Sequence, residues 1–418
     1  MSLTTDAPEV YGPAKEALTQ DEIVQRAKDL RDLLRAESAE GERLGHYTEK
    51  VHSAMLDAGL YHLLTPKRYN GYEFDVKTYI RTAMALAEGD PGVAWNWALG
   101  HSHALEAAAF WSKEVQDIAF NNPRGYFKAG HSLRPAGTAT PVDGGYRVKG
   151  RSDYQSGISY GTHATVYVEL VGTEGGAKEF VDVLLGEDSY EVLDNWGSDK
   201  VMGLAASGSN SVVFDTFVEE AFVRRFKDTT DPTDDKAVPG LKLHNNPQYL
   251  ATPVAFQGLG QHCIPIGAAR AAAEEYERLA YVKKSTYAHM PPRIEDDVYQ
   301  RDFYTALSKA DAAEYLILRC ADEYMERVSA HVNDGIPFTL RESMRLAGST
   351  FEAGQLAADA VDTVFQTAGS GEVTGKGKLI EKLHRDVWTY RCHGFSVRSG
   401  FARQMGAVML GSAMGFHA

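Results

Sequence analysis

The chain has 418 residues, 44% of them hydrophobic, and a formal charge of −14. That length allows two or three domains or one large layered unit. The acidic balance argues against nucleic-acid binding while leaving room for one local basic pocket around an anionic cofactor. Three scattered cysteines, Cys263, Cys320 and Cys392, make neither a disulfide framework nor a CxxC metal site, and they are expected to be buried thiols in a reducing compartment.

The N-terminus lacks a basic-then-apolar signal pattern, and no run of roughly 18 apolar residues occurs, so a soluble, cytoplasmic protein is expected. Thr19 to Ala39 carries apolar residues at spacings of three and four among charges, with Thr19 and Glu22 set as a capping box. Further helices are expected over Thr48 to Ala58 and Asp75 to Glu88. The nearly charge-free stretch Val93 to Leu105, holding His101 and His103, reads as a buried helix. Two positions apart, those histidines project about 200° from each other on a helix and cannot share one metal.

Near Pro123 the pattern changes to strands. A hairpin is expected around Gly144-Gly145, followed by strand-like runs at Thr165 to Val171, Phe180 to Leu185 and Ser211 to Val218, and then the polar loop Asp228 to Lys236. Long helices return at Ala251 to Ala280, Asp297 to Asn333 and Leu340 to Ala368. A last one starts near Lys382, contains Asp386 and His393 on nearly one face, and runs to about Met414. Long C-terminal helices with few caps imply a bundle, with a second apolar face for another subunit. The expected organisation is an N-terminal helical domain over 1–123, a central antiparallel β domain over 124–235 and a C-terminal four-helix bundle over 236–418.

Gly369 to Gly377 has the wrong glycine spacing for a P-loop, and HExxH and Gly-x-Ser-x-Gly motifs are absent; no metal site is indicated. Two segments rich in small residues stand out instead. Gly150 to Gly157, with Ser156, and Ala205 to Asn210, with Ser207 and Ser209, would let a flat ring approach the backbone and offer it hydroxyl groups.

The order of helices, strands and helices, with His101-Ser102-His103, Ser156-Gly157, Asp194-Asn195-Trp196, Ser207-Gly208-Ser209, Thr252-Pro253 and Arg385-Asp386 before His393, resembles the flavin-dependent oxygenase components of two-component monooxygenases. This is the p-hydroxyphenylacetate hydroxylase and dibenzothiophene monooxygenase group. The resemblance implies an α+β acyl-CoA dehydrogenase-like fold, a homotetramer, and reduced FMN (FAD being the alternative) supplied by a separate NAD(P)H-flavin reductase. It further implies O2 activation as a C4a-hydroperoxyflavin and hydroxylation of a small aromatic substrate. By the same resemblance Ser156 meets the flavin near N5, His393 lies beside flavin and substrate, and His101 contacts the substrate hydroxyl. Gly157, Ser207, Ser209 and Gly369 border the flavin, and Lys283 falls near its phosphate. Ser152 departs from the tryptophan common after that Gly-Arg.

A phenol ionises near pH 10, so a neutral histidine at hydrogen-bond distance is the base such chemistry needs, a role expected of His101 or His393. An N- or S-oxygenase of the same group is one alternative. An acyl-CoA dehydrogenase would instead need a catalytic carboxylate, and the region before the last helix offers only Glu372. A non-enzymatic helical oligomer would bind no flavin.

Overall fold

The computed structural model describes residues 16–172, 178–197, 199–225, 238–250, 253–284, 289–375 and 377–411. The expected loop 228–236, the helix-opening Thr252 and the end of the last helix at Met414 lie outside the described residues. Helices α1 (Gln20–Asp29), α2 (Arg31–Leu44), α3 (Glu49–Asp57), α4 (Val76–Gly89), α5 (Pro91–Phe110) and α6 (Lys113–Phe120) come first. The Thr19–Glu22 capping box forms, but the helix it starts breaks at Leu30, so the single expected helix is two.

α5 begins with Asp90 accepting from the backbone N–H groups of Gly92 (2.8 Å) and Val93 (3.1 Å), followed by Pro91 at its first position. Its residues are buried on nearly all sides, as its lack of charge requires. It packs against α4, the first strand and the later helices, and is the element around which the site is built.

The strands are β1 (Ala129–Ser132), β2 (Gly137–Val142), β3 (Gly145–Ser152), β4 (His163–Leu170), β5 (Glu179–Gly186), β6 (Glu191–Val192), β7 (Val212–Glu219) and β8 (Val223–Arg225). They join in the order β6-β7-β3-β2-β4-β5-β8, with β1 also on β4. The expected hairpin is β2–β3. The sheet is mixed rather than wholly antiparallel, because β1 and β2 both run parallel to β4 along one edge. Sequence periodicity sets which residues alternate but not the direction of the partner strand.

The C-terminal helices are α7 (Pro239–His244), α8 (Pro253–His262), α9 (Ile264–Val282), α10 (Asp297–Asp334), α11 (Leu340–Thr367), α12 (Ser370–Val373), α13 (Leu379–Arg391) and α14 (Arg398–Met409). α9, α10, α11 and α13 pack together as a bundle. The expected helix through His393 ends at Arg391, and a turn stabilised by His393 N–H donating to Tyr390 O (3.0 Å) separates it from α14. Cys263 and Cys320 are buried, but Cys392 in that turn is exposed, contrary to expectation. No described helix is long and apolar enough to cross a membrane.

Candidate functional site

A cavity of about 650 Å³ opens between α5, the sheet, α8 and the end of α13. Its walls are largely apolar, with Trp95, Leu99, Trp196, Leu204, Phe256 and Phe395 among them. The volume lies in the usual range for a cofactor or small-molecule site.

One end is built from hydroxyl groups. Ser156 follows β3 in a turn where Gly157 has φ +84°, and a Cβ on Gly157 would lie 2.6 Å from Gly100 Cα, so backbone rests directly on α5. Trp95 Nε1–H donates to Ser156 Oγ (3.2 Å), and Ser156 Oγ shares a hydrogen bond with Ser209 Oγ (2.8 Å), which shares another with Ser207 Oγ (2.7 Å). The fully buried Lys128 Nζ donates to Asn96 Oδ1 (2.8 Å) and to the carbonyls of Gly157 and Ser159 (2.5 Å each), clamping this turn to α5. Burial pushes the Lys128 amine well below the usual lysine range.

The turn carrying Ser207 and Ser209 is seated from below by α13. Asp386 Oδ1 accepts from Leu204 N–H (2.6 Å), and its other oxygen meets Lys382 Nζ at 2.8 Å. Asp386 is therefore a structural anchor.

Three histidines line the cavity: His103 from α5, His131 from β1 and His393 from the turn after α13. His393 stands edge-on to Trp95, with ring centroids 5.2 Å apart. Phe395 N–H donates to His393 Nδ1 (3.4 Å), which leaves the ring proton on Nε2, and burial lowers its pKa to about 4, so the ring is neutral at pH 7. His103 Nδ1 lies 2.7 Å from Ala129 O; a carbonyl only accepts, so Nδ1 carries the proton and Nε2 is an open acceptor. Burial keeps His103 below the normal histidine range as well.

The substrate-facing role expected of His101 does not fit its position. Leu64 N–H donates to its Nε2 (3.0 Å), its ring stacks on Trp97, and it is fully buried away from the cavity lining. The two histidines lie on opposite faces of α5, and packing turned His103 inward. Lys283 and Gly369 are also not brought to this cavity. Lys283 Nζ pairs with Glu372 Oε1 at 2.9 Å on α12, the helix that Gly369 caps with φ +95°, and neither lines the cavity. The charge of Lys283 is thus met within the chain. Ser156, Ser207, Ser209 and His393 do share the cavity, with Gly157 beneath it.

Trp95, Lys128, His103, Glu106 and His131 carry no assigned role in the sequence alone. A charged residue inside an apolar run was the available signal for Lys128, and Glu106 three positions after His103 was the signal for a shared helix face.

The acyl-CoA dehydrogenase C-terminal domain family matches residues 259–397. The chain is 26% identical over 373 residues to the oxygenase subunit HsaA of a flavin-dependent monooxygenase from Rhodococcus jostii, covering 88% of this chain and 93% of the relative. It is 22% identical over 408 residues to the oxygenase component of p-hydroxyphenylacetate 3-hydroxylase from Acinetobacter baumannii, covering 97% and 90%. Among solved structures, XiaF from Streptomyces sp., in complex with FADH2 and glycerol, superposes with a TM-score of 0.83 at 24% identity over 94% of this chain and 96% of that one. The acyl-CoA dehydrogenase-like fold is therefore that of the chain, and its homologues are flavin-dependent monooxygenase oxygenase subunits, as the sequence resemblance implied.

Proposed function

We propose that this chain, a homologue of flavin-dependent monooxygenase oxygenase subunits, is the oxygenase component of a two-component enzyme that hydroxylates a phenolic small molecule. It takes reduced flavin, FMN by our reading and FAD as the alternative, from a separate NAD(P)H-dependent reductase. One observation carries the reading: a single apolar cavity holds a hydroxyl donor, Ser156, at one end and a neutral acceptor, His103 Nε2, at the other. When bound, the reduced flavin supplies the electrons and activates oxygen.

The residues divide the remaining work. Trp95 occupies one acceptor site of Ser156 and so favours Ser156 as a donor toward the ring edge. Gly157 lets that ring come close to the backbone, and Ser207 and Ser209 orient the hydroxyl. His393 offers Nε2–H from the side, while Trp95, Leu204 and Phe395 exclude water. His103 takes the base role expected of His101 or His393. A homotetramer fits the exposed Tyr304 and Tyr315 on α10, which are 70% and 77% accessible in the single chain.

The dehydrogenase alternative lacks its base here. Among the described residues no carboxylate lines the cavity, and Glu372 is held by Lys283 elsewhere. The test is rapid mixing of protein and reduced FMN or FADH2 with oxygen. A long-lived absorbance phase distinct from reduced and oxidised flavin supports the proposal; direct conversion to oxidised flavin, with bleaching of bound flavin by an acyl-CoA, refutes it. Ser156→Ala should shorten that phase about a hundredfold, the scale of losing one preorganised donor.

A further inference from the structure

Behind His103 lies a buried set of charges that the reading above leaves unused. Glu106 sits one helical turn on from His103, and His131 on β1 stands with its ring 5.3 Å from that of His103. His131 Nδ1 is 3.6 Å from Glu106 Oε2 and its Nε2 is 3.6 Å from Asp182 Oδ1 on β5. Arg224 on β8 pairs with the other oxygen of Asp182 at 2.7 Å, and Gln257 Nε2–H on α8 donates to Glu106 Oε1 (3.2 Å). His131 and His103 both line the cavity, whereas Asp182 is nearly inaccessible.

We propose that Glu106 and His131 are positioning residues that let His103 remove the hydroxyl proton of a neutral phenol. The inference rests on the function proposed above and deepens it. In the step, the phenol O–H bond breaks, an N–H bond forms at His103 Nε2, and the phenolate faces an imidazolium; no electrons change owner. Glu106, one turn along α5, stabilises that imidazolium by its charge, while Ala129 O holds the Nδ1–H. His131, protonated between two carboxylates, keeps the resting His103 neutral by like-charge repulsion. Burial opposes protonation of His131, but Asp182 and Glu106 outweigh it and raise its pKa to about 9. For Glu106, the adjacent histidines outweigh the effect of burial and hold it down to about 2.

His103, Glu106 and His131 bring their ligand atoms within 4.8 Å of one another, the donor types of a divalent metal site. Charge favours the proton. Glu106 and Asp182 are already balanced by His131 and Arg224, and a metal would have to displace the proton from His131. Among the described residues, the other charged or titratable groups on the cavity wall are Arg134, Tyr154, Cys392 and His393, and Tyr79 and Tyr167 lie near Glu106 and Asp182 from α4 and β4.

The test uses the whole protein and 4-nitrophenol, whose ionised form is coloured, so the proton is read without turnover. Bound to the wild type at neutral pH it should be largely ionised. Glu106→Gln should return the proton to the phenol, moving the apparent pKa of the bound probe up by about one unit, and Glu106→Asp should restore the wild-type value. In steady-state profiles of kcat/KM, the acidic limb should move to lower pH in Glu106→Gln and to higher pH in His131→Gln. A merely structural role moves neither in opposite senses. An unchanged probe pKa and unmoved limbs in both variants, with folding checked by circular dichroism, would overturn the proposal. So would one equivalent of divalent metal retained by purified protein after dialysis against chelator. The absorbance phase formed with reduced flavin and oxygen should persist in Glu106→Gln. Its absence from the wild type would count against the flavin reading, while the probe titration judges the proton network separately.

Discussion

At the Ser156 end of the cavity the polar groups facing inward are hydroxyls and an indole N–H, fixed by backbone pressed on backbone at Gly157 and Gly100 and by Lys128 holding three oxygens. At the His103 end a set of charges lies behind the wall, its members drawn from α5, β1, β5 and β8 with ion-pair spacings of 3.6 Å around His131. The first end is rigid because a close approach leaves no alternative conformation. The second is held by charges whose protonation varies with pH. One region should therefore respond to shape and the other to acidity.

The largest expected effect tests the first half of that contrast. Gly157→Ala must fit a Cβ 2.6 Å from Gly100 Cα at a positive φ, and it should lower stability by about 3 kcal/mol or more and abolish reduced-flavin binding. Chemical unfolding and flavin titration would measure both, and retained flavin affinity would mean that backbone contact does not fix Ser156.

Next in size is the pH dependence of stability. His131 has a folded pKa near 9, above the unfolded value, so its contribution is complete below pH 6.5 and is lost as pH rises toward 9. That rise corresponds to about 3 kcal/mol. His262 and His393, lowered to about 3 and 4 by burial, act in the opposite sense: the unfolded chain binds more protons, so stability falls as pH drops from 6.5. Melting temperatures across pH 5 to 9 should peak near pH 6.5 (about the unperturbed histidine pKa), and His131→Gln should flatten the alkaline side. An alkaline slope untouched by His131→Gln would remove the set of charges from the comparison.

The smallest expected effect sharpens the neutral end. Trp95→Phe keeps the flat wall but removes the donor 3.2 Å from Ser156 Oγ, a loss of about 1 kcal/mol that should shorten the flavin absorbance phase a few-fold. A change as large as that of Ser156→Ala would show that Trp95 does more than orient the hydroxyl.

Much of this was legible in the chain itself. The lack of charge from Val93 to Leu105 required burial, Thr19 and Glu22 marked a helix start that forms, and the small residues around Ser156 and Ser207 marked turns that meet in one cavity. Local chemistry fixes such features because capping, periodicity and turn preference act over a few residues. Tertiary structure alone decided that His103 rather than His101 faces the cavity, since a helical repeat sets the angle between two side chains but not the rotation of the helix in the fold. It also decided that the last long helix stops at Arg391, and that His131 and Asp182 meet, through strands β1 and β5 flanking β4. Register between strands distant in sequence is chosen by packing of the whole sheet, and no local pattern encodes it.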